Sequence, residues 1–219
     1  MVKLFDSLTD MLGRDNVLLG ASASSDYYHD EALGLPPSEP AAIVFPSQEG
    51  EVAAILAFCY EHSIPVTARG SGTGLSGAAL PPSNGVVISF ERMNKIIEID
   101  TPNHVAVVQP GVTLAELDKA TARVGLIYPV FPGELSATIG GNIATNAGGM
   151  RAIKYGVTRH NVLGLRACLP TGEIIVTGGK FTKATSGYDL TQLIIGSEGT
   201  LALVTEATLT LQPRPTCSY

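Results

Sequence analysis

The feature that most constrains this chain is the run at residues 69–77, Arg-Gly-Ser-Gly-Thr-Gly-Leu-Ser-Gly, which follows the apolar stretch 64–68 without a break. Glycine at nearly alternate positions is costly inside a helix or strand. The apolar stretch therefore has to end in a loop whose backbone can come close to something else. Gly72, Gly74 and Gly77 fit the spacing G-x-G-x-x-G of dinucleotide-binding turns, and Glu91 sits at a later strand end. That fingerprint needs a helix opening at the glycines, so that the helix N-terminus takes the diphosphate. Here only Ala78, Ala79 and Leu80 precede Pro81 and Pro82, and a strand pattern resumes over 85–90. The order is strand, loop, strand, with no room for the helix.

Such a loop can still bind an anion. Successive N–H groups in a glycine turn form a nest. Ser71, Thr73 and Ser76 add hydroxyl donors, and Arg69 places a guanidinium at the mouth. Hydrogen bonds to a charged group contribute about 1.5–3 kcal/mol each, so a handful would hold a diphosphate without a helix dipole. Taken alone, a glycine-rich turn with no ligand is an equal alternative. The pattern G-x-x-x-x-G-K-[ST] is absent, and nothing suggests nucleotide hydrolysis.

With 219 residues, 45% of them hydrophobic and only 16% charged, the chain can bury a substantial core. Its formal charge of -6 disfavours a nucleic-acid partner. Neither a basic leader with a long apolar run nor an 18-residue uncharged apolar stretch is present, so the expectation is a cytoplasmic protein without a membrane span. Cys59, Cys168 and Cys217 form no C-x-x-C pair and read as buried or free thiols. No two of His29, His62, His104 and His160 have the spacing of a metal pair, and no metal is expected.

Residues 1–40 read as a lead-in that packs on a body spanning 41–219. A strand over 41–45 is followed by a helix over 47–62, with Ser47 as N-cap and Val52, Ile55, Leu56 and Cys59 on one face. With the strands at 64–68 and 85–90 this makes a small α/β lobe of about 41–99, with parallel strands. After Met93 the pattern turns to short strands, the first at 96–99, and 100–219 reads as a larger lobe with a mostly antiparallel sheet: strands at 105–108, 162–169, 173–177 and 201–211, and helices after Thr113 and over 188–195. Thr113 and Glu116 form a capping box, with Leu114, Leu117, Thr121 and Val124 on one side. The fold class is α+β.

A second glycine cluster, 132–149, predicts a short helix capped by Ser136 or Thr138 and containing Gly140 and Gly141. Those glycines let a flat ring lie against the backbone, or else allow a close helix crossing. A third, Gly-Ser-Glu-Gly at 196–199, turns from helix to strand.

In this order the clusters resemble the FAD-linked oxidases of the vanillyl-alcohol oxidase superfamily, with an FAD-binding domain of PCMH type. The nearest branch is that of glycolate oxidase D subunits and D-lactate and D-2-hydroxyglutarate dehydrogenases. The shared text covers residues 65–77, 108–112, 137–149, 154–156, 187–190 and 196–201. The resemblance implies a two-lobe domain with FAD between the lobes. It places the diphosphate on Arg69, Gly70, Ser71, Gly72, Thr73, Gly74, Ser76 and Gly77. The second cluster, through Pro132, Gly133, Thr138, Ile139, Gly140, Gly141 and Ile143, would lie along the diphosphate, ribityl chain and flavin ring. Glu198, Gly199 and Val204 would meet the adenosine end. The first loop has no histidine, which implies non-covalent FAD. The implied reaction oxidises a 2-hydroxy acid to a 2-oxo acid by hydride transfer to the flavin. Its catalytic residues and metal ligands belong to a C-terminal substrate domain expected beyond Tyr219, and the electron acceptor is left open. The alternative is a non-catalytic FAD-binding subunit that docks to a partner chain. His160, Arg151, Lys154 and Tyr155 follow the second cluster and are weaker candidates, with ordinary surface roles as the alternative.

Overall fold

The computed structural model describes residues 2–181 and 183–215; Cys217 lies outside them. The chain opens with helix α1 (Val2–Leu12) and strand β1 (Val17–Leu19), and a 3-10 turn over Ser25–Tyr28 leads on to β2 (Ala42–Val44). Helix α2 (Glu49–Glu61) buries Val52, Ile55, Leu56 and Cys59, the i, i+3, i+4, i+7 face expected from the sequence. Burial of aliphatic side chains of this size contributes about 1.5–3 kcal/mol each, which fixes the helix against the sheet. Its N-cap position is Gln48, not Ser47, and no side chain caps it. Ser47 instead donates its N–H and hydroxyl to Glu51.

Strands β3 (Val66–Arg69) and β4 (Val86–Ser89) complete a four-stranded sheet of order β1-β2-β4-β3, in which β2, β4 and β3 run parallel. Strand β1 pairs antiparallel with β2 from Val17↔Val44 to Leu19↔Ala42. The lead-in thus supplies a strand as well as packing: Leu8, Leu12 and Val17 lie in the same apolar cluster as Val52, Ile55 and Ile88.

The change of sheet falls between Ser89 and Ile96, slightly ahead of the expected boundary near Asp100. Strands β5 (Ile96–Asp100) and β6 (Val105–Val108) begin the second sheet. They are followed by α3 (Leu114–Ala122), the short β7 (Leu126–Ile127), α4 (Ile139–Thr145), α5 (Ala152–Tyr155), β8 (Val162–Cys168), β9 (Ile174–Gly178), α6 (Leu190–Ile194), β10 (Leu203–Thr210) and β11 (Gln212–Pro213). The order β5-β6-β10-β8-β9 is antiparallel throughout, and β7 pairs with β11. Thr113 and Glu116 form both halves of the capping box of α3. Val124, expected on the apolar side, lies past the helix end and is exposed.

A charged clasp joins the lobes. Arg166 on β8 grips Glu49 at the start of α2 through Nε at 3.2 Å and a second nitrogen at 2.6 Å, and the Thr205 hydroxyl donates to Glu49 Oε1 at 2.6 Å. Partial burial alone would raise the Glu49 carboxyl; the hydrogen bonds from Arg166 and Thr205 and the Arg166 charge overcome it and hold the group below its ordinary value. Cys59 and Cys168 are free and buried, and burial pushes both thiols up to about 11. Such thiols are protonated and inert near neutral pH.

Candidate functional site

Between the lobes runs a cleft of about 680 Å³ lined by residues from all three glycine clusters. Its size is that of a small-molecule or cofactor site. A smaller apolar recess, about 70 Å³, shares Ala68, Gly70, Gly141, Ala144 and Gly199 with it and reaches Phe90, Ile143 and Val204.

The first wall is the loop between β3 and β4. No helix forms after the glycines, and Pro81 and Pro82 lead directly to β4. Gly70, Ser71, Gly72, Thr73, Gly74 and Ser76 all line the cleft. Among the described residues, none of the nine backbone N–H groups of residues 70–78 donates to a protein acceptor. The residues of this loop are half-buried or exposed, so their N–H groups are open to solvent or to a ligand in the cleft. The loop is a strip of dipoles with unused donor capacity.

Arg69 departs from the sequence expectation. Its guanidinium is buried beneath the loop, not set at the mouth: it donates to the His29 carbonyl at 2.7 Å and lies over the Tyr27 ring. Burial lowers its pKa below the ordinary arginine value, offset in part by Tyr27, Asp26, Asp30 and Glu91. Burial and the neighbouring Glu91 carboxylate, which accepts the Tyr27 hydroxyl, push that phenol up to about 12.

The second wall is α4. Thr138, not Ser136, caps it, accepting the Gly141 N–H at 3.3 Å. The N–H groups of Ile139 and Gly140 are already used, donating to Val112 and Pro110 carbonyls at 2.8 Å. Pro132, Gly133, Thr138 and Gly141 line the cleft, and Gly140 and Ile143 the recess. A methyl group built on Gly140 would stand 2.7 Å from Pro110 Cβ, while one on Gly141 would meet only Thr138 Oγ1, at 3.2 Å. Gly140 therefore packs against the protein, and Gly141 leaves space on the cleft side. Ile139 is fully buried in the larger lobe's core, and Gly77 packs behind the loop against Leu35; neither lines the cleft.

The third cluster docks on the end of α4. Gly196 and Glu198 donate their N–H groups to Ile143 and Ala144 carbonyls at 2.9 Å. Glu198 then reaches across the cleft to accept the Ser76 hydroxyl at 3.2 Å. Gly199 lines both cavities, and Val204 on β10 the recess.

Several cleft residues were not foreseen. Asn142 is buried and presents a side-chain Nδ2 with no partner; it lies within the glycine segment and its polarity inside a short apolar helix was the available signal. Ala144 to Gly149 continue the wall, and Asp30, Glu31 and Glu134 complete an acidic rim with Glu198. The Ser136 N–H holds the Glu134 carboxyl below its ordinary value. No lysine, arginine or histidine is among the lining residues of the main cleft. The donors that line the main cleft are backbone N–H groups, hydroxyls and the Asn142 amide, and Arg69 lines the adjoining recess. The weaker candidates lie elsewhere: His160 Nδ1 accepts the Val157 N–H at 3.1 Å, Arg151 stacks on Phe131 and Lys154 on Tyr155.

Free donors in a strip, an unpartnered buried amide and an open wall at Gly141 fit a long phosphate-bearing cofactor. Comparison with known proteins agrees. Residues 40–178 match the model of a family described as FAD binding domain. An FAD-linked oxidoreductase of Mycobacterium tuberculosis is 60% identical over 98% of this chain and 47% of its own length. A D-lactate dehydrogenase of Archaeoglobus fulgidus is 53% identical over 81% and 40%, and the glycolate oxidase subunit GlcD of Bacillus subtilis 49% over 81% and 38%. The chain thus spans less than half the length of these relatives. Among solved structures, alkyldihydroxyacetonephosphate synthase superposes with a TM-score of 0.86 at 24% identity, over 99% of this chain and 41% of that one. p-Cresol methylhydroxylase gives 0.86 at 23%, over 99% and 44%; at such identities the likeness is one of fold. The chain belongs to the FAD binding domain family, with the PCMH-type fold of the vanillyl-alcohol oxidase superfamily, and its cofactor is FAD.

Proposed function

We propose that this chain is the FAD-binding half of a flavin-dependent D-2-hydroxy-acid dehydrogenase or oxidase that binds its cofactor without a covalent bond. The observation that carries the cofactor part is the run of N–H groups at 70–78 without a protein partner among the described residues, in a loop whose residues other than Gly77 line the cleft. The substrate class rests on the D-lactate, glycolate and D-2-hydroxyglutarate enzymes among the relatives.

In this reading the loop donors and the hydroxyls of Ser71 and Thr73 take the diphosphate oxygens, while the Ser76 hydroxyl stays on Glu198 at the rim. Thr138, Gly141 and Asn142 hold the middle of the cofactor, Asn142 through its unpartnered Nδ2. Glu198, Gly199 and Val204 would meet the adenosine end, most of which the main cleft would have to accommodate. Bound FAD would supply a two-electron acceptor for oxidation of the hydroxy acid at C2. Phe90, Ile143 and Leu203 give the recess apolar walls. The base and the groups that select the acid are assigned to the further polypeptide that the relatives possess.

The test is a titration of the 219-residue chain with FAD, followed by addition of D-lactate or glycolate to this chain and to a protein extended to the relatives' length. FAD uptake by both, with flavin bleaching only in the longer one, is the expected result. A chain that takes up no FAD would overturn the reading. Uptake without reduction in the longer protein by any 2-hydroxy acid would favour the non-catalytic subunit.

A further inference from the structure

The loop that carries the free donors has almost nothing of its own to hold its shape. Within 70–80 the internal bonds are one turn, Leu80 N–H to the Gly77 carbonyl at 3.1 Å, and a Ser71–Thr73 hydroxyl contact at 3.4 Å. A strip of free donors on glycine-rich backbone should collapse onto other acceptors or sample many shapes. Apart from the exposed Ser76–Glu198 contact, what restrains it comes from the lead-in. Glu31 donates its N–H to the Gly74 carbonyl at 2.8 Å, in the middle of the loop. Asp30 is buried, accepts the Ala32 N–H at 3.0 Å and reaches the Ala79 N–H at 3.4 Å. The His29 carbonyl accepts from buried Arg69, whose guanidinium fills the space under Gly72: a methyl group built there would stand 2.1 Å from Arg69 Nη2. Three consecutive lead-in residues thus hold the loop at its start, middle and end.

We infer that residues 29–31 are a brace that pre-forms the diphosphate nest, with Arg69 as its keystone and as a positioning residue that acts through the loop. The brace lies over thirty residues before the loop in the chain and belongs to the segment that first reads as a mere lead-in. It rests on the reading of the loop as the diphosphate site. The restraint falls on the loop's acceptors: Glu31 occupies the Gly74 carbonyl at the cleft rim and leaves the donors of 70–78 free. A pre-formed nest pays its ordering cost on folding and not on binding, which is how a site without side-chain cations can hold an anion tightly.

The test uses paired variants of the 219-residue chain, with FAD affinity and the melting temperature of the FAD-free protein as separate readouts. Glu31→Pro removes the donor to Gly74, whereas Glu31→Ala keeps it. Glu31→Pro should weaken FAD by about tenfold, the magnitude of one well-placed hydrogen bond, with Glu31→Ala within about twofold of the parent. Arg69→Met should weaken FAD at least as much, and Arg69→Lys should recover part of the loss; a residue serving stability alone would change the melting temperature without this order in affinity. If Glu31→Pro does not fold, the Arg69 pair decides. Parent-like affinity in Glu31→Pro or in Arg69→Met would overturn the brace while leaving the cofactor reading intact. Failure of the parent chain itself to take up FAD would overturn the cofactor reading and the brace with it.

Discussion

The two glycine-rich walls of the cleft solve different problems. In the loop after β3, all nine N–H groups from 70 to 78 are left without a protein partner among the described residues. In α4, Ile139 and Gly140 spend theirs on Val112 and Pro110, and Gly141 spends its own on Thr138. Glycine in the first wall provides donors, and glycine in the second provides nearness. Residue composition alone does not separate these uses; the hydrogen-bond partners do.

The harshest way to break this contrast is Gly72→Val. Gly72 has a φ of 77°, and a side chain there would displace the Arg69 guanidinium. Strain and overpacking of about 1–3 kcal/mol each predict a loss of FAD affinity of about 100-fold or more, with the helical circular dichroism of the chain retained. Unchanged affinity would remove the loop from the site.

Gly141→Ala sharpens the contrast, because its two effects have opposite sign. Alanine is the better helix former by about 0.5–1 kcal/mol, so the FAD-free chain should melt at the same temperature or higher. The methyl group intrudes on the cleft, and FAD should bind about tenfold more weakly. A loss of both stability and affinity would mean that Gly141 packs against the protein, as Gly140 does.

The lobes that carry the two walls are joined by the Arg166–Glu49 clasp. Glu49→Gln should cost about 1 kcal/mol at neutral pH, a modest value because Arg166 is 40% exposed. The folded-state pKa of Glu49 is lowered, so its contribution is present above the unfolded carboxyl value and fades as pH falls through the folded one. Melting curves should therefore show parent and variant converging in acid. An equal gap at all pH values would show that packing, not charge, is lost. The smallest effect is expected at the rim: Ser76→Ala removes one exposed hydroxyl contact to Glu198 and should change FAD affinity by about twofold. A larger loss would move Ser76 from the rim to the centre of the site.

Much of this was legible in the sequence because it is local. The break at Pro81 and Pro82, the Thr113–Glu116 box, the buried face of α2 and the alternation of short strands each depend on residues a few positions apart, and each has its counterpart in the structure. What escaped is long-range. Strand β1 is three residues with one buried, too short for a period to register, and it exists because β2 offers an edge. Arg69 reads as a free cation beside a phosphate loop until Tyr27 and the His29 carbonyl, forty residues earlier, claim it. Asp30 and Glu31 carry no motif at all; their importance comes from where the lead-in returns to the sheet.

Backbone hydrogen exchange on the 219-residue chain, with and without FAD, tests the central contrast most directly. Without FAD, the amides of 70–78 should exchange at nearly unprotected rates while those of Ile139 and Gly140 are already protected. On FAD binding the loop amides should gain protection, and the α4 amides should change little. Loop amides that are protected before FAD is added, or that gain nothing when it binds, would contradict the assignment of these donors to the cofactor.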